Sequence, residues 1–215
     1  MLQTLKNAFK VKEVRNKLLF TLGMLVVIRF GCQLPVPGIN RDFFAQWFTQ
    51  NTGGDFGFLD AFTGGSFLSM SVFALNITPY ITSSIIMQLL TIAIPKLEEM
   101  QKEGEDGRKK IQTITRYVTI GLALIEASAI AIGFGNQGLL AGDIVAMDYV
   151  VIIASLTAGS AFLMWVGEQI TEKGVGNGIS IVLVINIISR IPRDFANLYD
   201  QFVKGAETIA LGVVA

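Results

Sequence analysis

Long apolar stretches alternate with shorter polar ones along most of this chain. Each apolar stretch approaches the roughly 20 residues that a helix needs to cross a hydrocarbon layer about 30 Å thick. Since a helix satisfies its backbone polar groups within one segment, we predict an all-α, polytopic membrane bundle that forms a single domain over residues 1–215. The predicted spans are residues 18–34, 72–94, 117–134, 149–166 and 178–191, with the start of a sixth at 208–215.

The region between the first two spans, residues 35–71, is too polar for a lipid-facing span but contains a short apolar cluster. We predict a short, incompletely inserted helix over residues 56–66, with a flexible break at Gly64 and Gly65. Irregular backbone at membrane depth must be covered by protein or line a water-filled cavity, so this half-helix suggests such a cavity. An external loop lying on the membrane surface is an open alternative. The apolar residues of the cluster are Phe56, Phe58, Leu59 and Phe62.

Basic residues are concentrated at two places, before the first span and in the loop 95–116. Loops rich in Lys and Arg remain cytoplasmic, so we predict a cytoplasmic N-terminus and a cytoplasmic loop 95–116. Residues 135–148 carry no Lys or Arg, and we place that loop outside. No A-x-A cleavage site follows the first span, which we therefore interpret as a retained anchor helix.

Composition narrows the possible functions. The chain is 52% hydrophobic and 16% charged, whereas a soluble domain has about 25% charged residues. Basic and acidic residues number 17 each, so no net charge favours nucleic acid. With no histidine and a single cysteine, Cys32, a metalloenzyme or Ser-His hydrolase is improbable. The glycine-rich turn at 174–178 lacks the Gly-Lys-Ser/Thr ending of a phosphate-binding loop, so we expect no enzyme, no metal and no cofactor.

Four motifs occur in an order that resembles the SecY family of protein-translocation channel subunits. They are VPGI at 36–39, FTGGSFLSMSVFALNITPYITSSIIMQLLT at 62–91, KEGEDGRKKIQTITRY at 102–117 and WVGEQITEKGVGNGISIVLV at 165–184. The family core has ten helices in two inverted halves, so the resemblance implies that this chain is the first half with the start of the sixth helix. The chain departs from the family pattern at Asn76, where glycine is usual, and at Glu126, a carboxylate within a span.

The resemblance also implies roles for particular residues. Branched aliphatic residues would form part of an apolar pore ring that gates by dewetting, whereas spacing alone indicates ordinary helix packing. The pore-ring candidates are Ile77, Ile81 and Leu183; the plug candidates are Phe56, Phe58, Leu59, Phe62, Gly64 and Gly65; the lateral-gate candidates are Thr82 and Glu126; and the cytoplasmic contact candidates are Arg108, Lys109 and Lys110. Two alternatives to these roles stay open: Glu126 could simply be paired within the bundle, and the three basic residues could simply lie in a solvated turn.

The function implied by the resemblance is a passive channel for unfolded polypeptides in the bacterial plasma membrane. The implied partners are the SecE and SecG subunits, the motor ATPase SecA, the ribosome, secretory and membrane polypeptides with signal sequences, and the lipid bilayer, without specific nucleic acid. Two alternatives stay open. A broken helix and a lone carboxylate also suit an ion-coupled secondary transporter, and an inert membrane scaffold is the third hypothesis.

Overall fold

The computed structural model of this protein describes residues 11–51, 60, 62–138, 140 and 146–214. Seven helices occupy most of these ranges, and no strand forms in them apart from two isolated bridges, Pro35 to Ser71 and Ile39 to Leu140. The prediction of an all-α bundle is therefore confirmed. The helices are α1 (Lys12–Gly31), α2 (Arg41–Asn51), α3 (Thr78–Ala93), α4 (Pro95–Lys102), α5 (Glu105–Asn136), α6 (Ala146–Lys173) and α7 (Gly178–Val214).

Two described helices, α5 and α6, are long and apolar enough to cross a membrane. If the bent pair of α3 and α4 forms one further span, the described residues contain three. The axes of α3 and α4 differ by 101° at Ile94. Ile94 is extended, with φ −112° and ψ 112°, because the ring of the following Pro95 disfavours helical backbone at this position. Pro95 itself then starts α4, where a missing N–H costs nothing. The loop predicted at 95–116 thus contains α4 and the first turns of α5.

The last helix, α7, is continuous through the region between the predicted spans 178–191 and 208–215. Pro192 lies inside it, where one backbone hydrogen bond is lost. An i, i+4 ion pair between Arg190 and Asp194, with an N–O distance of 3.2 Å, links the turns on either side of Pro192.

Close helix packing depends on small residues. One face of α5 presents Ala123, Ala127 and Ala131 at intervals of four, all buried, and such stripes let membrane helices approach closely. In the chain's packing, α5 lies against α6 and α3, and α6 lies against α7 and α1. Between α2 and α3, where a short helix was predicted over residues 56–66, residues 60, 62 and 63 are helical, and turns occupy most of residues 64–77.

The described core has two parts. The first, which we call the α2 cluster, joins α2, α5 and α6 and includes Phe44, Phe48, Met70, Leu156 and Ile152. The second, which we call the Ile77 cluster, joins α1, α6 and α7 and consists of Ile28, Cys32, Phe73, Ile77, Leu163, Val166, Ile170 and Val182.

Candidate functional site

Residues 62–77, which precede α3 and which we call the turn segment, begin with two helical residues and then consist almost entirely of turns. Four residues of this segment have positive φ: Gly64, Gly65, Met70 and Asn76. Two backbone hydrogen bonds tie it to the chain after α1, from Val36 N to Met70 O and from Val72 N to Leu34 O, each 2.9 Å long. The segment is therefore mostly irregular backbone that is tied to the rest of the protein by hydrogen bonds, as irregular backbone at membrane depth requires.

Several polar side chains are buried where the turn segment meets α7. Asp60 is 2% exposed, and Asn76 and Asn186 are 1% exposed each. Asn186 Nδ2 donates to Asn76 Oδ1, and Asn76 Nδ2 donates to the carbonyl oxygen of Phe62, both at 3.0 Å. These bonds connect α7 to both ends of the turn segment.

Charged groups complete this polar contact. The Arg190 guanidinium pairs with Asp60 Oδ2, while Asp60 Oδ1 accepts a hydrogen bond of 3.0 Å from the Leu68 amide. Arg29 at the end of α1 donates to the hydroxyl of Ser189 on α7. A cavity of about 330 Å³ lies next to these groups, lined by Arg29, Cys32, Gln33, Gly64, Gly65, Ser69, Ser189 and Arg190.

The three pore-ring candidates lie around the Ile77 cluster. Ile77 is 0% exposed and belongs to the cluster itself. Ile81 and Leu183 are partly buried and pack against it from α3 and α7. Leu183 thus shares one apolar centre with Ile77 and Ile81, although it lies more than 100 positions after both in the sequence.

The plug candidates divide between described and undescribed residues. Phe56, Phe58 and Leu59 lie outside the described residues. Phe62 is exposed, and Gly64 and Gly65 form the turn where left-handed backbone is required. A Cβ on Gly64 would lie 2.8 Å from both Arg29 Nη2 and the Asn186 carbonyl oxygen, so this glycine also permits a close approach to α7.

The lateral-gate candidates are on neighbouring helices. Thr82 is exposed on α3, and Glu126 is partly buried on α5. The cytoplasmic contact candidates Arg108, Lys109 and Lys110 are exposed in the first turn and a half of α5. Of these, Lys110 pairs with Glu103 at 3.4 Å, and Arg108 borders a cavity of about 300 Å³ between α3, α4 and α5.

Sequence reasoning missed most of the polar contacts. Besides the pair Asp60–Arg190, it missed Glu168, which is buried on α6 and accepts hydrogen bonds from Arg116 Nε at 2.9 Å and Gln112 Nε2 at 3.1 Å on α5. Charged residues beside apolar runs could have indicated such pairs, because a charge within a membrane span is costly unless it is paired. Among the described residues, no group of three His, Cys, Asp or Glu side chains could hold a metal ion.

Comparisons with known proteins agree with the resemblance seen in the sequence. The family model SecY matches residues 71–215. The protein translocase subunit SecY of Bacillus subtilis is 44% identical over 218 residues, covering 100% of this chain and 50% of that protein. Its counterpart from Staphylococcus carnosus is 46% identical over 212 residues, covering 97% of this chain and 49% of that protein. The chain thus spans about half the length of these curated relatives.

Solved structures share the fold. A structure described as that of a protein conducting channel matches with a TM-score of 0.57 and 22% identity, over 84% of this chain and 38% of the other. Sec61 in the canine ribosome-channel complex from the endoplasmic reticulum gives the same values. The comparisons do not support the ion-coupled transporter that the sequence left open.

Proposed function

Because the chain belongs to the SecY family, we propose that it forms the amino-terminal half of a channel that conducts unfolded polypeptides across a membrane and releases hydrophobic segments into it. The observation that carries this proposal is the similarity to SecY proteins along the whole chain. The geometry is compatible with that function, since a covered, largely non-helical segment adjoins an apolar centre formed by residues distant in the sequence.

The pore would be closed by apolar side chains. Ile77, Ile81 and Leu183 would supply this half's share of a narrow ring, in which water columns break and ions lose their hydration. Ile77 is fully buried and would support the ring, whereas the partly buried Ile81 and Leu183 would contact the moving chain. Apolar contacts need no particular sequence in that chain, which suits a general protein channel.

The other candidate residues would serve movement and docking. Residues 56–66 would be the plug that closes the idle channel, and α3 with α5 would form one wall of a lateral gate near Thr82 and Glu126. Exposed Arg108, Lys109 and Lys110 would face cytoplasmic partners. As the chain carries no nucleotide motif, the energy for transport would come from those partners.

The chain is a multi-pass membrane protein, and we place it in the bacterial plasma membrane with its N-terminus in the cytoplasm. The clustering of basic residues before the first span and at 95–116 supports this orientation. A ribosome is the partner best supported, since the Sec61 structure with the same fold comes from a ribosome-channel complex. SecE, SecG and SecA are proposed from family membership alone.

Site-specific crosslinking in the complete channel complex tests the proposal. Ile81→Cys and Leu183→Cys variants should crosslink to a cysteine placed in a secretory polypeptide that is halted during transport. Ile125→Cys is the matched control, because Ile125 is 67% exposed on the face of α5 opposite its buried alanine stripe. We expect crosslinks from positions 81 and 183 and none from position 125.

Equal crosslinking at all three positions, or none at 81 and 183 while the polypeptide is transported, would show that this half does not line the path. Absence of transport by the complete unmodified complex would contradict the proposed activity itself.

A further inference from the structure

We propose that Asp60, Asn76, Asn186 and Arg190 form a polar latch that positions the first half of the turn segment, residues 62–69, against α7 and sets how often this half leaves the channel. The inference rests on the proposed function, since it concerns the regulation of the plug. The four residues would be positioning residues, and neither helix periodicity nor the pore ring explains why they are present.

The latch is built from one face of α7. Asn186, Ser189 and Arg190 are spaced i, i+3 and i+4, so their side chains project from the same side of the helix. They reach three separate parts of the chain: Asn76 before α3, Arg29 at the end of α1, and Asp60 before the turn segment. Contacts to such distant parts fix the segment's position relative to two helices at once.

The charged pair is almost fully enclosed. The side chain of Asp60 is 3% exposed and that of Arg190 is 19% exposed. Because an unpaired buried carboxylate is strongly disfavoured, Asp60 is held only where Arg190 and the Leu68 amide can reach it. The adjoining cavity is polar and roomy enough for water, so both charges become hydrated when the segment moves out. The ion pair between Asp60 and Arg190 therefore fixes one position of the segment and can still be broken when the segment moves.

Asn76 adds a second, uncharged contact. Its φ of +53° is left-handed, a conformation that glycine adopts without strain. The asparagine side chain supplies what glycine lacks, a bond to Asn186 and a bond to the Phe62 carbonyl oxygen. Replacing Asn76 by glycine thus removes two latch bonds without straining the backbone, which makes this position a clean probe.

The test compares ion leak through the idle, complete channel complex reconstituted in lipid vesicles. Asn76→Gly should raise the leak roughly ten-fold, as expected for the loss of two buried hydrogen bonds. Asp60→Asn and Arg190→Gln should each raise it at least as much. The double variant should leak no more than the leakier single variant, because both changes remove the same pair. Faster hydrogen exchange at the Leu68 amide should accompany each increase.

Asp194→Asn is the matched control. Asp194 pairs with Nε of the same Arg190 at 3.2 Å, whereas Asp60 pairs with Nη1, and Asp194 lies on α7 itself, so this pair does not join α7 to the turn segment. This variant should leave the leak unchanged. Transport of a secretory polypeptide, measured in parallel, should continue in every variant, which separates the latch from the proposed channel activity and also reports correct folding.

Unchanged leak and exchange in Asn76→Gly, with transport intact, would overturn the latch. Additive effects of the two charge variants, or an equal effect of Asp194→Asn, would likewise overturn it. If Asp60→Asn fails to accumulate, Asn76→Gly decides the question alone, since it leaves the buried charge paired.

Discussion

Gly159 offers a quantitative test of how tightly α6 holds the turn segment. A Cβ added to this buried glycine would lie 2.0 Å from the carbonyl oxygen of Val72, whereas real Cβ contacts are essentially never shorter than 3.0 Å. The obstacle is backbone, which cannot rotate away as a flexible side chain can. In Gly159→Ala, either α6 or the turn segment must therefore shift.

The expected magnitude follows from a comparison with Gly121. Both glycines lie inside long helices, so replacement by alanine improves helix propensity by about 1 kcal/mol at each position. A Cβ on Gly121 meets nothing within 4 Å. The propensity gain cancels in the difference between the two variants, leaving the cost of overpacking at Gly159, about 1–3 kcal/mol. We expect Gly159→Ala to be less stable than Gly121→Ala by this amount.

The assay is denaturant unfolding of the complete protein in detergent micelles, together with the idle ion leak in vesicles. Val72 N donates to Leu34 O at 2.9 Å, so a shift at Val72 also disturbs the attachment of the turn segment. Gly159→Ala should thus leak more than Gly121→Ala. Equal unfolding midpoints and equal leaks for the two variants would refute the close contact between α6 and Val72.

Two further substitutions probe the interior and the pore. Glu168→Gln leaves Arg116 without its carboxylate and should lower the free energy of unfolding by about 1–3 kcal/mol. The control Glu98→Gln, in an exposed ion pair, should lower it by less than about 1 kcal/mol. Denaturant unfolding measures both values, and equal values would contradict the burial of Glu168. Ile81→Ser should raise the idle ion leak by wetting the pore while transport continues, and an unchanged leak would exclude Ile81 from the barrier. Ile77 is a poorer probe, since truncating a fully buried isoleucine costs about 2–5 kcal/mol.

Apolar periodicity and length suffice to predict an all-α membrane bundle, because lipid leaves helices as the way to satisfy backbone groups within one segment. The residues 117–134 and 149–166, predicted as spans, accordingly lie inside α5 and α6. The turn segment is different, since its left-handed residues Met70 and Asn76 obey no local pattern. Its conformation depends on bonds to residues far away in the sequence.

In the candidate site, too, the sequence indicates unusual residues but does not indicate their partners. The sequence singled out Asn76 as unusual but gave it no role, because its partner Asn186 is 110 positions away. Nor did it predict the pair between Asp60 and Arg190, which are 130 positions apart. A charge next to an apolar run indicates that a partner must exist, yet only the folded chain identifies which one.

The contacts of the turn segment also suggest how it moves. In its second half the segment is held by the apolar α2 cluster in addition to the backbone bonds at Met70 and Val72, and exposing apolar side chains to water is unfavourable. Near its first half, the segment is held through Asp60 and through the Phe62 carbonyl oxygen, by polar groups that water can replace. Movement should therefore begin at residues 60–66 and pivot near residues 70–72. Hydrogen exchange at the Gly65 amide should consequently be faster than at the Val72 amide, and the reverse order would place the pivot at the other end.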